Sequence, residues 1–199
     1  MSHYPEALLS LMAFLKKFPG VGSRTAERFA FHLLDWPEEQ LKRFGSLVQE
    51  LRDQVHYCEA CGCLMEEAPC NFCDPIKRDG RLLCIVSSAK DVFALEETRT
   101  YQGLYHVIGG LLSPIDGKSI EKLHLETLIK RIQSLGVKEV ILALDSTLEG
   151  DATSLYLKEQ INLLDLPVSR LAFGLPLGST LDFVDGGTLA RALTGRRSF

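Results

Sequence analysis

The segment LKKFPGVGSRTAERFAFHLL, from Leu15 to Leu34, ends one predicted helix and begins another within a few residues. Gly20 and Gly22 can adopt backbone angles closed to other residues, and neither carries a side chain that would obstruct a close partner. The second helix then begins near Ser23, with free amide groups at the positive end of its dipole. The turn therefore predicts a site at which backbone donors meet a phosphate.

Two basic residues follow this turn. Arg24 and Arg28 lie four residues apart, hence on one face of the second helix, so both can reach the same DNA backbone. The pattern resembles the helix–hairpin–helix DNA-binding motif, whose contacts go to phosphates and read no sequence. We predict that Gly20, Gly22, Arg24 and Arg28 bind DNA independently of sequence. The alternative is an ordinary helical hairpin that uses glycine in its turn.

Residues 1–55 are predicted to form an all-α region. Apolar side chains recur at helical spacing in three successive groups: Leu8, Leu11, Met12 and Leu15; Ala26, Phe29, Ala30 and Leu33; Leu41, Phe44, Val48 and Leu51. The stretch WPEEQ places Pro37 near the first turn of the third helix, with acidic residues beside the positive end of its dipole.

Residues 56–76 carry two C-x2-C pairs, Cys58 with Cys61 and Cys70 with Cys73. Two such pairs complete a closed tetrahedral thiolate site, which predicts structural Zn²⁺ with no open coordination position. Buried or redox-active thiols are the alternative, and Cys63 competes with Cys61 as a ligand on spacing alone. A segment this short cannot fold on apolar burial, so metal binding is expected to supply most of its folding free energy.

An α/β domain with a parallel sheet is predicted over residues 77–173. The continuous apolar runs LLCIV (82–86) and VILAL (140–144) are typical of strands buried on both faces, and PVSRLAF (167–173) predicts a further strand. A helix ending near Leu135, with Gly136 as its C-cap, lies between the first two strands, and another follows Gly150. Residues 174–199 form a tail rich in glycine and poor in core residues.

An acidic loop follows the strand VILAL. Asp145, Glu149 and Asp151 lie at the carboxyl end of that strand, where Mg²⁺ could bind through oxygen ligands. The loop resembles that of the toprim fold of topoisomerases, primases and some nucleases, but Thr147 stands where the second aspartate should be and Ser87 where the glutamate should be. We therefore expect no catalysis and no catalytic residue. Whether Mg²⁺ binds is left open, and an acidic, solvated helix start is the simpler interpretation.

Composition limits the classes of protein further. The chain has 199 residues, 46% hydrophobic and 24% charged, with a net charge of −4, so any contact with nucleic acid depends on local basic patches. No apolar run approaches the ~20 residues of a membrane span. The N-terminal residues lack the basic start and apolar core of a signal peptide, so we expect a cytoplasmic protein. Six cysteines in that reducing compartment favour metal binding over disulfides.

The order of these parts resembles the RecR family of bacterial recombination mediators over nearly the whole chain. Besides the glycine turn and the cysteine spacing, three segments carry the resemblance: YHVIGGLLSPIDG (105–117), EVILALDSTLEGDAT (139–153) and SRLAFGLPLGSTLDFVDGGTLARAL (169–193). Within the first, LSPIDG shows no chemistry of its own beyond a turn at Pro114 and Gly117.

The resemblance implies a non-catalytic role in loading the recombinase RecA onto gapped or single-stranded DNA, together with RecO and in some bacteria RecF. It also implies a ring-like tetramer that is built through the N-terminal helices and the C-terminal tails. Exposed Leu181, Phe183 and Val184 would suit a tail that docks on a neighbouring chain, or equally one folded back on its own domain.

Two other functions compete with this one. The first is a toprim-type nuclease or another phosphoryl-transfer enzyme acting on DNA, against which Ser87 and Thr147 count. The second is an interaction module that binds proteins through the cysteine segment and the tail, against which the glycine turn and its arginines count.

Overall fold

The computed structural model describes residues 4–113, 125–172 and 174–196. The chain divides into two compact units, Met1–Val55 and His56–Phe199. In the part of the chain that the structure describes, no helix combines the length and the apolar character needed to cross a bilayer. The predicted turn at Pro114 and Gly117 lies outside the described residues.

Three helices form the described part of the first unit: α1 (Glu6–Leu15), α2 (Ser23–Leu34) and α3 (Glu38–Gln54). Helices α1 and α2 pack together, and between residues 4 and 55 the buried side chains are Leu8, Ala26 and Ala30. The small alanines of α2 allow the close approach of α1. Helix α3 follows Pro37 as predicted, but none of its residues is buried. Its apolar stripe therefore lies on the surface of the chain.

A parallel sheet lies at the centre of the second unit, as the sequence predicts. Its strands are β3 (Asp79–Val86), β4 (Gly103–Val107), β5 (Glu139–Ala143) and β6 (Val168–Arg170), in the spatial order β4-β3-β5-β6. A short antiparallel pair precedes it, formed by β1 (His56–Tyr57) and β2 (Leu64–Met65).

The two faces of this sheet have different partners because successive side chains of a strand point to opposite sides. Leu83 and Ile85 of β3 pack with helices α5 (Leu125–Leu135) and α6 (Leu148–Asn162). Cys84 and Val86 pack instead with α4 (Ala89–Glu97) and the cysteine segment. The cysteine segment thus shares a core with the α/β domain.

The tail contains more structure than its glycine content suggests. A 3₁₀ turn (Leu181–Phe183) precedes helix α7 (Gly186–Thr194). The carboxylate of Asp185 caps α7 by accepting hydrogen bonds from the amide of Thr188, at 3.0 Å, and from its hydroxyl, at 2.6 Å. Helices α4 and α7 and strand β4 were not predicted from the periodicity of the sequence.

Candidate nucleic-acid interface and metal centre

The glycine turn between α1 and α2 has the backbone conformation expected of glycine at Gly20 but not at Gly22. Gly20 has φ +76°, a conformation that L side chains rarely adopt, and the amide of Val21 donates to the carbonyl of Phe18 at 3.1 Å. Gly22 is the N-cap of α2 and has an ordinary extended backbone, with φ −84° and ψ 177°. Glycine is therefore required at position 20 by the conformation of the chain, but not at position 22.

The start of α2 is open to a ligand. A Cβ atom added to Gly20 or Gly22 would meet no protein atom within 4 Å. No side chain caps the first turn of α2, and that turn contains no acidic residue. Free amide groups at a helix N-terminus attract phosphate. The space above Gly22 is thus available to a phosphate group without any rearrangement of the hairpin.

Arg24 and Arg28 lie beside this opening, one turn apart on α2, and both are exposed. The guanidinium of Arg28 lies 5.8 Å from the ring centroid of Phe29, which supports its stem. Lys17, before the turn, is exposed as well, with its ammonium 4.4 Å from the ring centroid of Phe14. Three exposed cations thus flank the helix start along the chain.

In the second unit, the four predicted ligands come together. The Sγ atoms of Cys58, Cys61, Cys70 and Cys73 all lie within 4.8 Å of one another. Two separations are shorter: 4.0 Å from Cys58 to Cys73 and 3.7 Å from Cys61 to Cys70. Zn–S bonds of ~2.3 Å in a regular tetrahedron place sulfur atoms about 3.8 Å apart. The four thiols therefore fit a zinc ion.

The electrostatics of the cluster support the same interpretation. The pKa of Cys61 is raised, first by its hydrogen bond with Cys63, and the pKa of Cys73 is raised, first by its hydrogen bond with Cys61. Burial raises the pKa of Cys70. Crowded, buried thiols resist ionisation, and a bound dication removes that penalty because coordinated thiols are deprotonated. A cation at the centre of the cluster would thus stabilise the four thiolates.

Cys63 is the thiol that spacing alone could not exclude. It is fully buried, and its amide donates to the sulfur of Cys61 at 3.5 Å. The group of possible metal ligands found among the described residues contains Cys61 and omits Cys63. Cys84, in strand β3, is also buried, and desolvation raises its pKa to about 12, so it behaves as a core residue.

The cysteine segment is attached to the sheet by backbone and ring contacts. The amide of Val107, at the end of β4, donates to the carbonyl of Cys61 at 2.8 Å. Gly62 has φ +74°, and an added Cβ would lie 2.9 Å from the Cβ of Val107. Phe72, between the last two ligands, packs edge-on against Tyr105 with their ring centroids 5.9 Å apart. This attachment could not be predicted from the sequence, because it joins residues that are far apart in the chain.

One acid of the loop, Asp151, forms ion pairs with two arginines. The carboxylate of Asp151 pairs with Arg170 at 2.7 Å and with Arg191 of α7 at 2.8 Å. The hydrogen bond from Arg170 is the first cause that holds the pKa of Asp151 below its usual range, with Arg191 contributing. Arg191 also donates to the hydroxyl of Ser146 at 2.8 Å. Helix α7 therefore folds back onto its own domain.

In the described part of the chain, the acidic side chains of this loop do not come together as a group of three. Among the described residues, Asp145, Glu149 and Asp151 form no group of possible metal ligands, whereas the four cysteines do. Thr147 caps α6 by accepting from the amide of Gly150 at 3.1 Å. A Cβ on Gly150 would clash with the carbonyl oxygen of Asp145, so packing determines the path of this loop.

Ser87, directly after the end of strand β3, forms a hydrogen bond with an acidic side chain. Its hydroxyl donates to the carboxylate of Asp91 at 2.7 Å, and the amide of Ser88 donates to the same oxygen at 2.8 Å. Ser88 and Asp91 form a capping box at the start of α4. The carboxylate nearest to this strand end thus caps a helix.

Family models match three parts of the chain: RecR helix-hairpin-helix over residues 8–52, Toprim domain over residues 81–172 and RecR C-terminal over residues 174–197. The chain is also similar over its whole length to curated proteins named "Recombination protein RecR". That of Protochlamydia amoebophila is 56% identical over 196 residues, which cover 98% of this chain and 99% of that protein. Those of Chlamydia pneumoniae and Chlamydia trachomatis serovar D are 50% and 47% identical over 201 residues, with all of both chains covered. With all three parts matched in order and 47–56% of the residues shared with these full-length relatives, the chain belongs to the RecR family of recombination proteins.

Proposed function

We propose that this chain is a non-catalytic, DNA-binding mediator in recombination and repair. One observation carries the proposal, namely the open start of α2 at Gly22, flanked by exposed Arg24 and Arg28. Backbone donors and flexible cations recognise phosphates without regard to sequence. A mediator needs this kind of contact because it must act wherever a gap arises.

The acidic loop supports a role without catalysis. Metal-dependent phosphoryl transfer needs carboxylates that hold the ion and leave positions for substrate. In this chain, Asp151 is held by Arg170 and Arg191, and Asp91 is held by the cap of α4. A serine hydroxyl at position 87 cannot supply the missing negative charge at neutral pH.

The partners and the assembly follow from the family. We infer that the protein acts with RecO, and in some bacteria RecF, to load RecA on gapped or single-stranded DNA, and that it forms a tetramer in the cytoplasm. The apolar stripe of α3 supports the assembly, since Leu47, Val48 and Leu51 are more than half exposed. Neighbouring exposed apolar side chains of this kind mark surfaces that a partner covers. The exposed Leu181 and Phe183 of the tail offer a second such surface.

The four-cysteine cluster is proposed to hold one Zn²⁺ in a structural role. Four protein ligands leave the ion no open position for substrate, and the cluster lies in the core beside Cys84 and Val86. Bound zinc would supply folding free energy to this segment and keep it in place on the sheet.

The test measures binding and cleavage of labelled gapped duplex at several salt concentrations, with and without Mg²⁺. We expect binding by the natural protein and intact DNA on a denaturing gel under all conditions. The Arg24→Ala/Arg28→Ala variant should bind all sequences more weakly. Its plot of log affinity against log salt should flatten by about 0.7 to 0.9 for each lost contact.

A matched control removes two exposed lysines from the other unit, as Lys130→Ala/Lys158→Ala. The control changes net charge equally and should leave the salt slope unchanged. An unaltered slope in the arginine variant would remove α2 as the DNA site. Cleavage that needs Mg²⁺ and disappears in Asp145→Asn would show that the acidic loop is catalytic, and the mediator proposal would fall.

A further inference from the structure

Arg131, on helix α5, reaches the metal centre although it belongs to another layer of the fold. Its Nη2 donates to the Sγ of Cys73 at 3.5 Å. Its Nη1 donates to the backbone carbonyl of Tyr105 at 2.5 Å and lies 3.2 Å from the Nδ1 of His106. One guanidinium thus contacts both the cluster and strand β4.

The position of α5 makes these contacts unusual. Leu128 and Ile132 of α5 are buried in the core on one face of the sheet. Cys61 and Cys70 are buried in the core with Cys84 and Val86 on the opposite face, and the half-buried Cys58 and Cys73 pack against that core. Because β4 is the edge strand of the sheet, Arg131 can pass around that edge and bridge the two layers. The carbonyl of Tyr105 receives a donor there that no neighbouring strand provides on that side.

The charge of a zinc-loaded cluster explains why a cation would be needed at the position of Arg131. Zn²⁺ with four thiolates carries a net charge of −2, which is costly to bury without a nearby cation. Arg131 is half-buried and forms no ion pair with a carboxylate anywhere in residues 4–113, 125–172 and 174–196. Its fixed positive charge is thus directed at the sulfur of Cys73.

We propose that Arg131 is a positioning residue for the metal centre, which stabilises the zinc-bound sulfur of Cys73 and fastens the cysteine segment to the edge of the sheet. Groups that hydrogen-bond to metal ligands hold them in place and tune the bound ion, and losing one commonly lowers metal affinity 10–100-fold. Arginine suits the task because its planar fork serves several acceptors at once. This inference depends on the zinc site and not on the binding of DNA.

The test compares the zinc-loaded natural protein with Arg131→Gln, Arg131→Lys and the neighbouring surface variant Lys130→Gln. Zinc content per chain is measured first, followed by the rate at which zinc passes to a chromophoric chelator. We expect one zinc per natural chain and transfer about tenfold or more faster from Arg131→Gln. Arg131→Lys keeps the charge but cannot serve all three acceptors, so it should lie between them. Lys130→Gln should match the natural protein.

A second readout distinguishes an effect on the metal from loss of packing. In the cobalt-loaded protein, removing a donor from a thiolate should move the thiolate-to-metal charge-transfer band to longer wavelength. The band should therefore shift in Arg131→Gln and stay in place in Lys130→Gln. Natural release rates with an unmoved band would overturn the proposal, even if Arg131→Gln were less heat-stable. If Arg131→Gln did not fold, Arg131→Lys with natural release and an unmoved band would overturn it in the same way. A natural chain without zinc would overturn both the metal assignment and this inference.

Discussion

Gly20 and Gly22 are two residues apart in the same turn, yet they are glycine for different physical reasons. Gly20 has φ +76°, so any side chain there is strained. Gly22 has an ordinary backbone, and an added Cβ would meet no protein atom within 4 Å. The fold alone therefore does not explain the second glycine, whereas the proposed approach of a phosphate to the amides of α2 would explain it.

This difference predicts opposite effects of the two alanine substitutions. Gly20→Ala should lower the free energy of unfolding by about 1–2 kcal/mol, the cost of a left-handed conformation with a Cβ. Gly22→Ala should change the melting temperature little but weaken DNA binding about tenfold, or ~1.4 kcal/mol, because the methyl group occupies the phosphate position. Thermal melts and binding isotherms measure both. Equal DNA affinities for Gly22→Ala and the natural protein would contradict the assignment.

Cys61 and Cys63 are likewise close neighbours with different roles. Both are fully buried, but only Cys61 belongs to the group of four sulfurs that can surround one ion. Cys63 contributes its amide, which donates to the sulfur of Cys61. Backbone donors of this kind stabilise a metal-bound thiolate.

We therefore predict that Cys63→Ala retains one zinc per chain and that Cys70→Ala loses it. Cys63→Ala should cost only about 1 kcal/mol for a small cavity. Cys70→Ala, or removal of zinc by a chelator, should destabilise the second unit more, since the cysteine segment then lacks its main source of folding free energy. Elemental analysis of zinc and the melting temperature of each variant test both predictions. Loss of zinc in Cys63→Ala, with Cys70→Ala still loaded, would exchange the two roles.

At the scale of secondary structure elements, α7 is linked to its own domain by an ion pair and a hydrogen bond of Arg191. The helix buries no residue, and Arg191 links it to Asp151 and Ser146. Arg170 holds the same carboxylate from β6. The pairs with Arg170 and Arg191 keep the pKa of Asp151 below its usual range.

The attachment of α7 should therefore weaken at low pH. A carboxyl group with a lowered pKa in the folded state contributes stability that is complete above its unfolded value of about 3.9. That contribution disappears as the pH falls through the lowered value. At neutral pH, amides of residues 186–194 should exchange hydrogen faster in Asp151→Asn than in the natural protein, and the difference should vanish in acid. Asp182→Asn, an exposed acid in the 3₁₀ turn, is the control. Equal exchange at neutral pH would show that other contacts hold α7.

Considered as a whole molecule, the chain has one unit that is poor in core. Between residues 4 and 55 the buried side chains are Leu8, Ala26 and Ala30, whereas α3 buries none and leaves Val48 60% exposed. A helix whose apolar stripe faces water gains little from folding, because most helix stability comes from packing of that stripe. A second copy of the chain that covers α3 would supply the missing core.

Charges on this stripe should therefore disrupt the assembly. We predict that Leu47→Glu/Leu51→Glu reduces the particle from four chains to a smaller state, as measured by light scattering, and lowers the melting temperature of the first unit. The control Lys42→Glu/Arg43→Glu changes exposed basic residues of the same helix and should leave the mass unchanged. If the leucine variant kept the mass of the natural protein, α3 would not be the interface.

Local patterns in the sequence were sufficient for most of the architecture. The glycine turn, the apolar periods of α1 and α2, the strand runs of β3 and β5, and the C-cap at Gly136 all express preferences of the chain over a few residues. The two C-x2-C pairs likewise carry their chemistry in their spacing. Strand β4, with five residues, and helix α7, with nine residues and two glycines at its start, were missed because such short segments give little periodic signal.

Only the tertiary structure decided the contacts between distant residues. It placed the amide of Val107 against the carbonyl of Cys61 and the guanidinium of Arg131 against the sulfur of Cys73. It also paired the carboxylate of Asp151 with two arginines. It also placed the sulfur of Cys61, and not that of Cys63, in the group of four that could surround one ion. Spacing along the chain limits which neighbouring groups can meet, but contacts between residues far apart in the chain depend on how the layers pack around the sheet. The sequence therefore determined the parts and their chemistry, and packing determined which parts touch.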